Sequence, residues 1–314
     1  MKKISICIPC FNEGENIDNI YGLLIQELST IEKYDYEIIF EDNCSTDTSQ
    51  ERLRNLAAKD KRVKVILNAR NFGAMKNSGY IMFQATGDAA IGMPCDLQTP
   101  VNLIHRYIEL WENGNEVVLG QKVGSEESKI LYGLRSIYYW IIDKCSDNKE
   151  IKQVTGCGLF DKKALKLIES LNEPEPNFRY LITELGLKVA LVPYIQKSRK
   201  SGKSSYNFIS YFYQALQTLV STSKLPLKLA TIVGFILSGI SFLIGIIYLI
   251  YKLIFWDSFE VGMAPILIGI FFWGAFQMFL IGILGQYVGE ILTRVTKRPL
   301  VVERERINFD EDEN

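Results

Sequence analysis

Short apolar runs alternate with longer stretches of helical spacing in the first part of the chain. Five runs are predicted to be buried strands: Ile4–Ile8, Tyr36–Phe40, Val63–Leu67, Ala89–Met93 and Glu116–Leu119. The predicted helices lie between them, near residues 16–31, 48–59 and 74–85 and from Thr99-Pro100 onward. Strands separated by helices predict an α/β domain with a mostly parallel, doubly wound sheet that is covered on both faces.

Two much longer apolar stretches lie near the end of the sequence. Leu229–Tyr251 and Val261–Val288 contain no charged residue over 23 and 28 positions. Each is long enough to cross a hydrocarbon core about 30 Å thick, so we predict two membrane spans. Two buried core helices are the alternative. The outer flanks are basic, with Lys224 and Lys228 before the first stretch and Arg294, Lys297 and Arg298 after the second. The positive-inside rule then predicts cytoplasmic termini in the inner (plasma) membrane.

An amphipathic segment precedes the first predicted span. Its apolar positions follow one helix face: Phe208, Ile209, Phe212, Leu216, Leu219 and Val220. We expect this helix to lie in the membrane interface, although packing against the preceding domain is the alternative. The predicted organisation is a cytoplasmic α/β domain over 1–205, an interfacial helix over 206–225, a two-helix membrane region over 226–290 and a cytoplasmic tail over 291–314.

Composition excludes several functional classes. A formal net charge of −1 gives no basic surface suited to nucleic acid. The closely spaced cysteines Cys7 and Cys10 would lie on opposite faces of an extended strand, too far apart for a disulfide. The chain has one histidine, His105, and no second CxxC pair, so a zinc site is not expected. The six cysteines are interpreted as reduced thiols.

Polar clusters follow four of the predicted strands. They are Asn12-Glu13, Glu41-Asp42-Asn43, Arg70-Asn71 and Asp96-Leu97-Gln98. Ligands bind beyond the carboxyl ends of the strands in doubly wound sheets, so four clusters at one edge predict a ligand site. A single cluster would be explained equally well as a solvated loop.

These clusters carry a family resemblance. The ordered stretches "IPCFNE", "EDNCSTD", "RNFG", "CDLQTP" and "SRKSGKSS", followed by two terminal spans, resemble the family 2 glycosyltransferases that charge polyprenyl phosphate. The resemblance implies a GT-A domain that moves a hexose or N-acetylhexosamine, with inversion, from a nucleotide sugar (a UDP-sugar) to polyprenyl (undecaprenyl) phosphate on the cytoplasmic face. It implies nucleotide contacts from Pro9, Asn12, Glu13, Asp42, Arg70, Arg199, Lys203 and Ser204.

Three departures from the family pattern stand at these motifs. Asn43-Cys44 replaces Asp-Gly after Asp42, and Pro94 replaces the first aspartate of Asp-Ala-Asp-Leu-Gln. Many members have Gly-Asp-Phe-Arg where this chain reads Thr155–Asp161, so a carboxylate is missing near Cys157. These departures motivate a second hypothesis, a catalytically weakened scaffold subunit that binds nucleotide sugar. A polysaccharide synthase is a further alternative, but two spans are too few to enclose a channel.

The chemistry of the transfer identifies candidate catalytic residues. Asp96 and Gln98 offer oxygen ligands for Mg²⁺ or Mn²⁺, which would neutralise the departing diphosphate. The alternative is a helix-capping loop, with Thr99 as N-cap and Pro100 in the first turn.

A lipid phosphate is already ionised and needs cations to position it, for which Lys122 and Arg135 are the candidates. Cations on a solvated helix face are the alternative. The loop containing Arg199 and Lys203 is interpreted as a lid over the diphosphate or, alternatively, as a linker to the membrane. Gly285 and Gly289 permit close helix contact, which is compatible with a homo-oligomer.

Overall fold

The computed structural model describes residues 1–124, 151, 154–196, 225–254 and 263–309. The strands are β1 Lys3–Cys10, β2 Asp35–Asp42, β3 Val63–Asn68, β4 Ala89–Gly92, β5 Val117–Gly124, β6 Val154–Asp161, β7 Val189–Ile195 and β8 Glu303–Ile307. The helices are α1 Gly14–Leu28, α2 Ser49–Lys59, α3 Ala74–Phe83, α4 Leu103–Glu112, α5 Lys162–Ser170, α6 Phe178–Glu184, α7 Leu225–Ile254 and α8 Met263–Val295.

The eight strands form one sheet in the order β7-β5-β6-β4-β1-β2-β3-β8. The pairs β1–β2, β1–β4, β2–β3 and β5–β7 are parallel, whereas β6 is antiparallel to both neighbours and β8 is antiparallel to β3. The mostly parallel α/β sheet predicted from the sequence is confirmed. Strands β1 to β5 and β7 therefore end at the same side of the sheet, which we call the carboxyl edge.

Helices on both faces explain why the central strands are continuously apolar. Ile6 and Ile8 of β1 enter the core that includes Ile17 of α1. Cys7, between them, enters the opposite core with Ile81 of α3. A strand buried on both faces needs apolar side chains at successive positions, which is the pattern that predicted these strands.

Two details of the predicted organisation are wrong. The fourth helix begins at Leu103 with Asn102 at its N-cap, so Thr99 and Pro100 lie in the preceding turn and do not open it. Residues 303–307 of the predicted tail form β8 and complete the sheet beside β3. Strand β8 was missed because Glu-Arg-Glu-Arg-Ile, at the edge of the sheet, has no apolar run.

The two long helices α7 and α8 belong to a second unit, separate from the sheet. Within α8, the segment Phe272–Val295 is long and apolar enough to cross a membrane. The span predicted at Leu229–Tyr251 falls within α7 and stays a prediction. The predicted interfacial helix lies outside the described residues apart from its last position, Leu225.

Candidate active site at the carboxyl edge

The loop after β1 is fastened to the loop after β2. The backbone N–H of Asn12 donates to Ser45 Oγ (2.8 Å), and Asn12 Oδ1 accepts from the backbone N–H of Thr46 (2.9 Å). The Gly14 N–H donates to Asp47 Oδ2 at 3.0 Å. A Cβ at Gly14 would lie 2.6 Å from Thr48 Oγ1, so glycine permits this close approach. The predicted residues Asn12 and Glu13 therefore lie in a loop that hydrogen bonds hold against the loop after β2.

Asp42, the last residue of β2, organises the second loop. Its Oδ2 accepts from the Ser45 N–H (2.9 Å) and from Gln50 Nε2 (3.0 Å). Its Oδ1 is buried and has no hydrogen-bond partner in the described part of the chain. Buried carboxylate oxygens are normally satisfied, so an unpartnered one at a ligand-binding edge marks a place for an incoming donor.

Asn43 fastens the loop after β3 to the loop after β2. Its Nδ2 donates to Asn71 Oδ1 (3.1 Å), and its Oδ1 accepts from the Phe72 N–H (2.9 Å). The Gly73 N–H also donates to Asn71 Oδ1, at 2.8 Å. We call these contacts the Asn43–Asn71 clamp. The exposed Arg70 extends from this loop, with its guanidinium carbon 4.1 Å from the centre of the Phe72 ring.

Two departures from the family pattern have a structural reading. Cys44 adopts a φ of +62°, a backbone conformation in which the glycine of the usual motif is unstrained. Asn43 both donates and accepts within the clamp, whereas an ionised aspartate could only accept. The asparagine is therefore suited to this set of partners.

The two predicted metal ligands lie together after β4. Asp96 Oδ1 accepts from the Gln98 N–H at 3.1 Å, and Leu97 between them has a φ of +59°. Gln98 Oε1 accepts from Gln196 Nε2 at 2.8 Å. Gln196 follows β7 and was missed by sequence reasoning, because no motif marks it.

The oxygen atoms of Asp96 and Gln98 suit a hard cation that is also bound by phosphate and water oxygens. Asp96 and Gln98 are partly exposed and offer carboxylate and amide oxygens. No group of three or more His, Cys, Asp or Glu side chains suited to a metal occurs among the residues that the structure describes. Magnesium commonly takes one or two protein oxygens and completes its shell with phosphate and water oxygens. In the rival interpretation this loop caps α4 through Thr99, whereas α4 begins at Leu103 with Asn102 at its N-cap.

The remaining predicted residues have different outcomes. Pro9 lies in β1 opposite Glu41, and Lys122 lies near the end of β5 opposite Tyr194 of β7, so both reach the carboxyl edge. Cys157, partly exposed, lies within β6 and precedes Gly158, which pairs with Gly92 at the end of β4. The candidates Arg135, Arg199, Lys203 and Ser204 lie outside the described residues.

The described cysteines are free, as the sequence predicted. Cys10 and Cys95 are both buried beneath the carboxyl edge. Hydrogen bonding with Cys95 and burial raise the pKa of the Cys10 thiol well above its ordinary value. A buried thiol that keeps its proton is a poor nucleophile and a poor metal ligand, so this pair contributes packing.

Comparisons with known proteins identify a family for this sequence. The sequence profile described as "Glycosyl transferase family 2" matches residues 5–168. The "Bactoprenol glucosyl transferase" of Shigella phage SfX is 30% identical over 97% of this chain and 99% of its own length. The "Prophage bactoprenol glucosyl transferase homolog" of Escherichia coli K12 is 29% identical over 95% of this chain and 97% of its own.

Solved structures give a weaker likeness. Glucosyl-3-phosphoglycerate synthase from Mycobacterium tuberculosis, bound to Mn²⁺, UDP-glucose and phosphoglyceric acid, aligns with a TM-score of 0.47 and 17% identity over 70% of this chain and 79% of its own. TarS from S. aureus with UDP-GlcNAc aligns with a TM-score of 0.45 and 14% identity over 71% of this chain and 66% of its own.

Proposed function

The chain belongs to glycosyl transferase family 2 and is a glycosyltransferase; on this premise we propose that its acceptor is polyprenyl (undecaprenyl) phosphate. The donor in this proposal is a nucleotide sugar, a UDP-sugar, that carries a hexose or N-acetylhexosamine. The observation that carries the proposal is the convergence of the loops after β1, β2, β3 and β4 on one edge. Full-length similarity to proteins named bactoprenol glucosyl transferases supports the lipid acceptor.

The donor nucleotide is assigned to the loops after β1, β2 and β3. Asp42 Oδ1, buried without a partner in the described chain, would accept a hydrogen bond from a nucleobase N–H. Pro9, Asn12 and Glu13 would line the nucleoside, and Arg70 would add positive charge near the phosphates. The contacts that join the three loops hold these groups in place before the donor arrives, which lowers the entropy cost of binding.

Asp96 and Gln98 are assigned to the diphosphate through a divalent cation, Mg²⁺ or Mn²⁺. A bound cation would neutralise the charge that develops on the leaving diphosphate. Gln196 fixes the Gln98 side chain, and the single carboxylate of the loop means that donor phosphates must complete the site. Metal affinity should therefore depend strongly on the presence of nucleotide.

The acceptor phosphate needs positioning cations and no general base. A lipid phosphate is ionised at neutral pH, so its oxygen can attack without losing a proton to the protein. This is compatible with a thiol at Cys157, where the family pattern given above has a carboxylate. We assign Lys122 and Arg135 to the acceptor phosphate, and Arg199, Lys203 and Ser204 to the donor diphosphate.

Two spans, at Leu229–Tyr251 and Val261–Val288, would anchor the enzyme in the inner membrane with both termini in the cytoplasm. The apolar segment Phe272–Val295 supports the second of them. Two spans fit an enzyme that modifies a lipid at the membrane surface, because no polymer has to be led through a channel.

The proposal is tested by measuring sugar transfer to purified undecaprenyl phosphate with the full chain in detergent or nanodiscs. Separate reactions contain UDP-glucose, UDP-GlcNAc, UDP-galactose or GDP-mannose, each with Mg²⁺, Mn²⁺ or chelator. We expect metal-dependent formation of glycosyl-phosphoryl lipid with at least one UDP-sugar. Nucleotide binding without transfer to the lipid would favour the scaffold hypothesis that Pro94 and Cys157 motivate. Formation of a sugar polymer would favour a polysaccharide synthase.

A further inference from the structure

A buried polar cluster underlies the Asn43–Asn71 clamp. Glu41 is inaccessible to solvent, and its Oε1 accepts from Asn68 Nδ2 at 2.8 Å. The same Nδ2 lies 3.4 Å from Asn43 Oδ1. Glu41 Oε2 and Asn68 Oδ1 are buried without hydrogen-bond partners in the described part of the chain. One buried donor, Asn77 Nδ2, is unpartnered there as well, and a proton on Glu41 would give these acceptors a further donor.

The charges around Glu41 do not compensate an ionised carboxylate. Arg306 of β8 pairs with Glu303 at 2.8 Å, and the Tyr80 hydroxyl of α3 also donates to Glu303. Lys64 of β3 pairs with Glu37, which lies toward the other end of β2. From β1, the Cys7 thiol faces the same core, and burial raises the pKa of this thiol well above its ordinary value.

Burial raises the pKa of Glu41 to about 8. The Asn68 and Asn77 amides act in the opposite direction, and the nearby Glu303 adds to the rise. Glu41 is therefore protonated at neutral pH. Amide side chains are its immediate polar neighbours, so the cluster is neutral in that state.

The cluster leads to the proposed donor site through three side chains. Glu41 holds Asn68, which lies against Asn43 Oδ1, and Asn43 binds both Asn71 and the Phe72 N–H. An ionised Glu41 would attract the buried donors around it more strongly, and Asn68 Nδ2 is the donor that contacts it at 2.8 Å. A shift of Asn68 would change its contact with Asn43 Oδ1 and so the position of the Asn43 side chain.

We propose that protonated Glu41 is a positioning residue: through Asn68 it fixes the Asn43–Asn71 clamp and the loop 70–73, and its ionisation loosens that loop. The effect on donor affinity rests on the proposed function, whereas the effect on the loop does not. Glu41 touches no substrate in this proposal. Its proton exchanges with solvent when the cluster opens, and no bond other than the carboxyl O–H is broken.

The first test measures hydrogen exchange of the Phe72 and Gly73 amides in the full chain at pH 7 and pH 9, corrected for the intrinsic pH dependence of exchange. We expect protection to fall at least fivefold at pH 9 in the native chain. Glu41→Gln keeps an acceptor and cannot ionise, so its protection should stay constant. Glu305→Gln, which alters a partly exposed glutamate of β8, is the matched control and should behave as the native chain.

The second test follows the KM and kcat of the nucleotide sugar between pH 6.5 and pH 9.5. We expect the donor KM of the native chain to rise at least fivefold above pH 8 while kcat changes less than twofold, and Glu41→Gln to abolish the rise. Glu41→Leu, with no acceptor, should raise the donor KM at every pH.

Equal pH dependence of the native chain and Glu41→Gln, in exchange and in KM, would overturn the proposal. Native protection of Phe72 and Gly73 in Glu41→Leu would also overturn it. If no transfer to polyprenyl phosphate occurs with any donor, the proposed function fails, and the exchange measurement still decides the role of Glu41.

Discussion

Two glutamates of β2, Glu37 and Glu41, are both buried and point to the same face of the sheet, yet their surroundings differ in kind. Glu37 Oε2 contacts Lys3 Nζ at 2.8 Å and Lys64 Nζ at 3.0 Å. Burial opposes its ionisation, but hydrogen bonds from Lys3, Ser5, Thr86 and Lys64 outweigh burial and lower its pKa to about 2. Glu41, four residues nearer the carboxyl edge, has the Asn68 and Asn77 amides as neighbours, and burial raises its pKa to about 8.

This difference between Glu37 and Glu41 indicates that the two ends of the sheet have different roles. At the amino end, charges are paired within the protein and contribute to stability. At the carboxyl edge, Asp42 Oδ1 is unpartnered in the described chain, and Asp96 is partly exposed. These oxygen atoms can accept hydrogen bonds or bind a cation when a ligand supplies them. Substitutions at the two ends should therefore separate stability from activity.

The largest effect is expected from Glu37→Gln. It removes the charge that compensates Lys3 and the buried Lys64, and breaking a buried ion pair in this way costs roughly 3 kcal/mol or more. Denaturant unfolding of the full chain should report the loss, while transfer per folded molecule should stay within about twofold. If Glu37→Gln is as stable as the native chain, the charge pairs at the amino end do not contribute to stability as proposed.

Asp96→Asn should have the opposite profile. We expect transfer to fall about a hundredfold, as for other single groups that stabilise developing charge, with little change in stability. The control is Asp18→Asn, an exposed carboxylate of α1 that pairs with Arg52, which should leave transfer unchanged. Full activity of the Asp96 variant, or of the native chain in chelator, would remove the metal assignment.

Lowering the pH should reduce the stability that ionised Glu37 contributes. The pKa of Glu37 is about 2 in the folded chain and about 4.5 when unfolded, so the unfolded state binds the proton first as the pH falls. This group should cost about 2 kcal/mol of stability between pH 7 and pH 3. The native chain should therefore lose more stability than Glu37→Gln over that interval, measured by unfolding at each pH. Parallel curves would contradict the assigned ion pairs.

For Glu41 the sign is reversed. Its pKa is raised, so the folded state binds the proton more tightly and stability falls as the pH rises from about 4.5 to about 8. Glu41→Gln removes this dependence. The stability of the variant relative to the native chain should therefore increase over that interval in the same unfolding measurements, and a constant difference would argue against a protonated Glu41.

The smallest effect is expected from Gln196→Ala. Loss of the 2.8 Å hydrogen bond to Gln98 frees one metal ligand, so the Mn²⁺ concentration for half-maximal transfer should rise about threefold to tenfold. Gln50→Ala, which removes a donor to Asp42, is the matched control and should weaken UDP binding without changing the metal requirement. An unchanged metal requirement in Gln196→Ala would show that this bond does not orient Gln98.

The sequence predicted strands β1 to β5 and the polar ends of the first four because both signals are local. A strand buried on two faces must be apolar throughout, and side chains that follow it must lie at its end, as Asp42 and Asp96 do. Other features depend on distant parts of the chain. Gln196 joins Gln98 across 98 positions, and buried Glu41 has Asn77 of α3 and Glu303 of β8, both distant in sequence, among the groups that act on its charge. Composition and spacing contain no information about such neighbours.

Strand β8 makes the domain discontinuous along the chain, and this has a consequence for biosynthesis. Val65 of β3 pairs with Ile307, so the outer edge of β3 has no partner until the ribosome has made both long helices. Until then, β3 presents open backbone groups to other chains. A chain cut near Ser205 would keep the edge open permanently, so a soluble fragment should include residues 297–309, supplied in trans or through a linker. Synthesis of both long helices therefore precedes completion of the sheet.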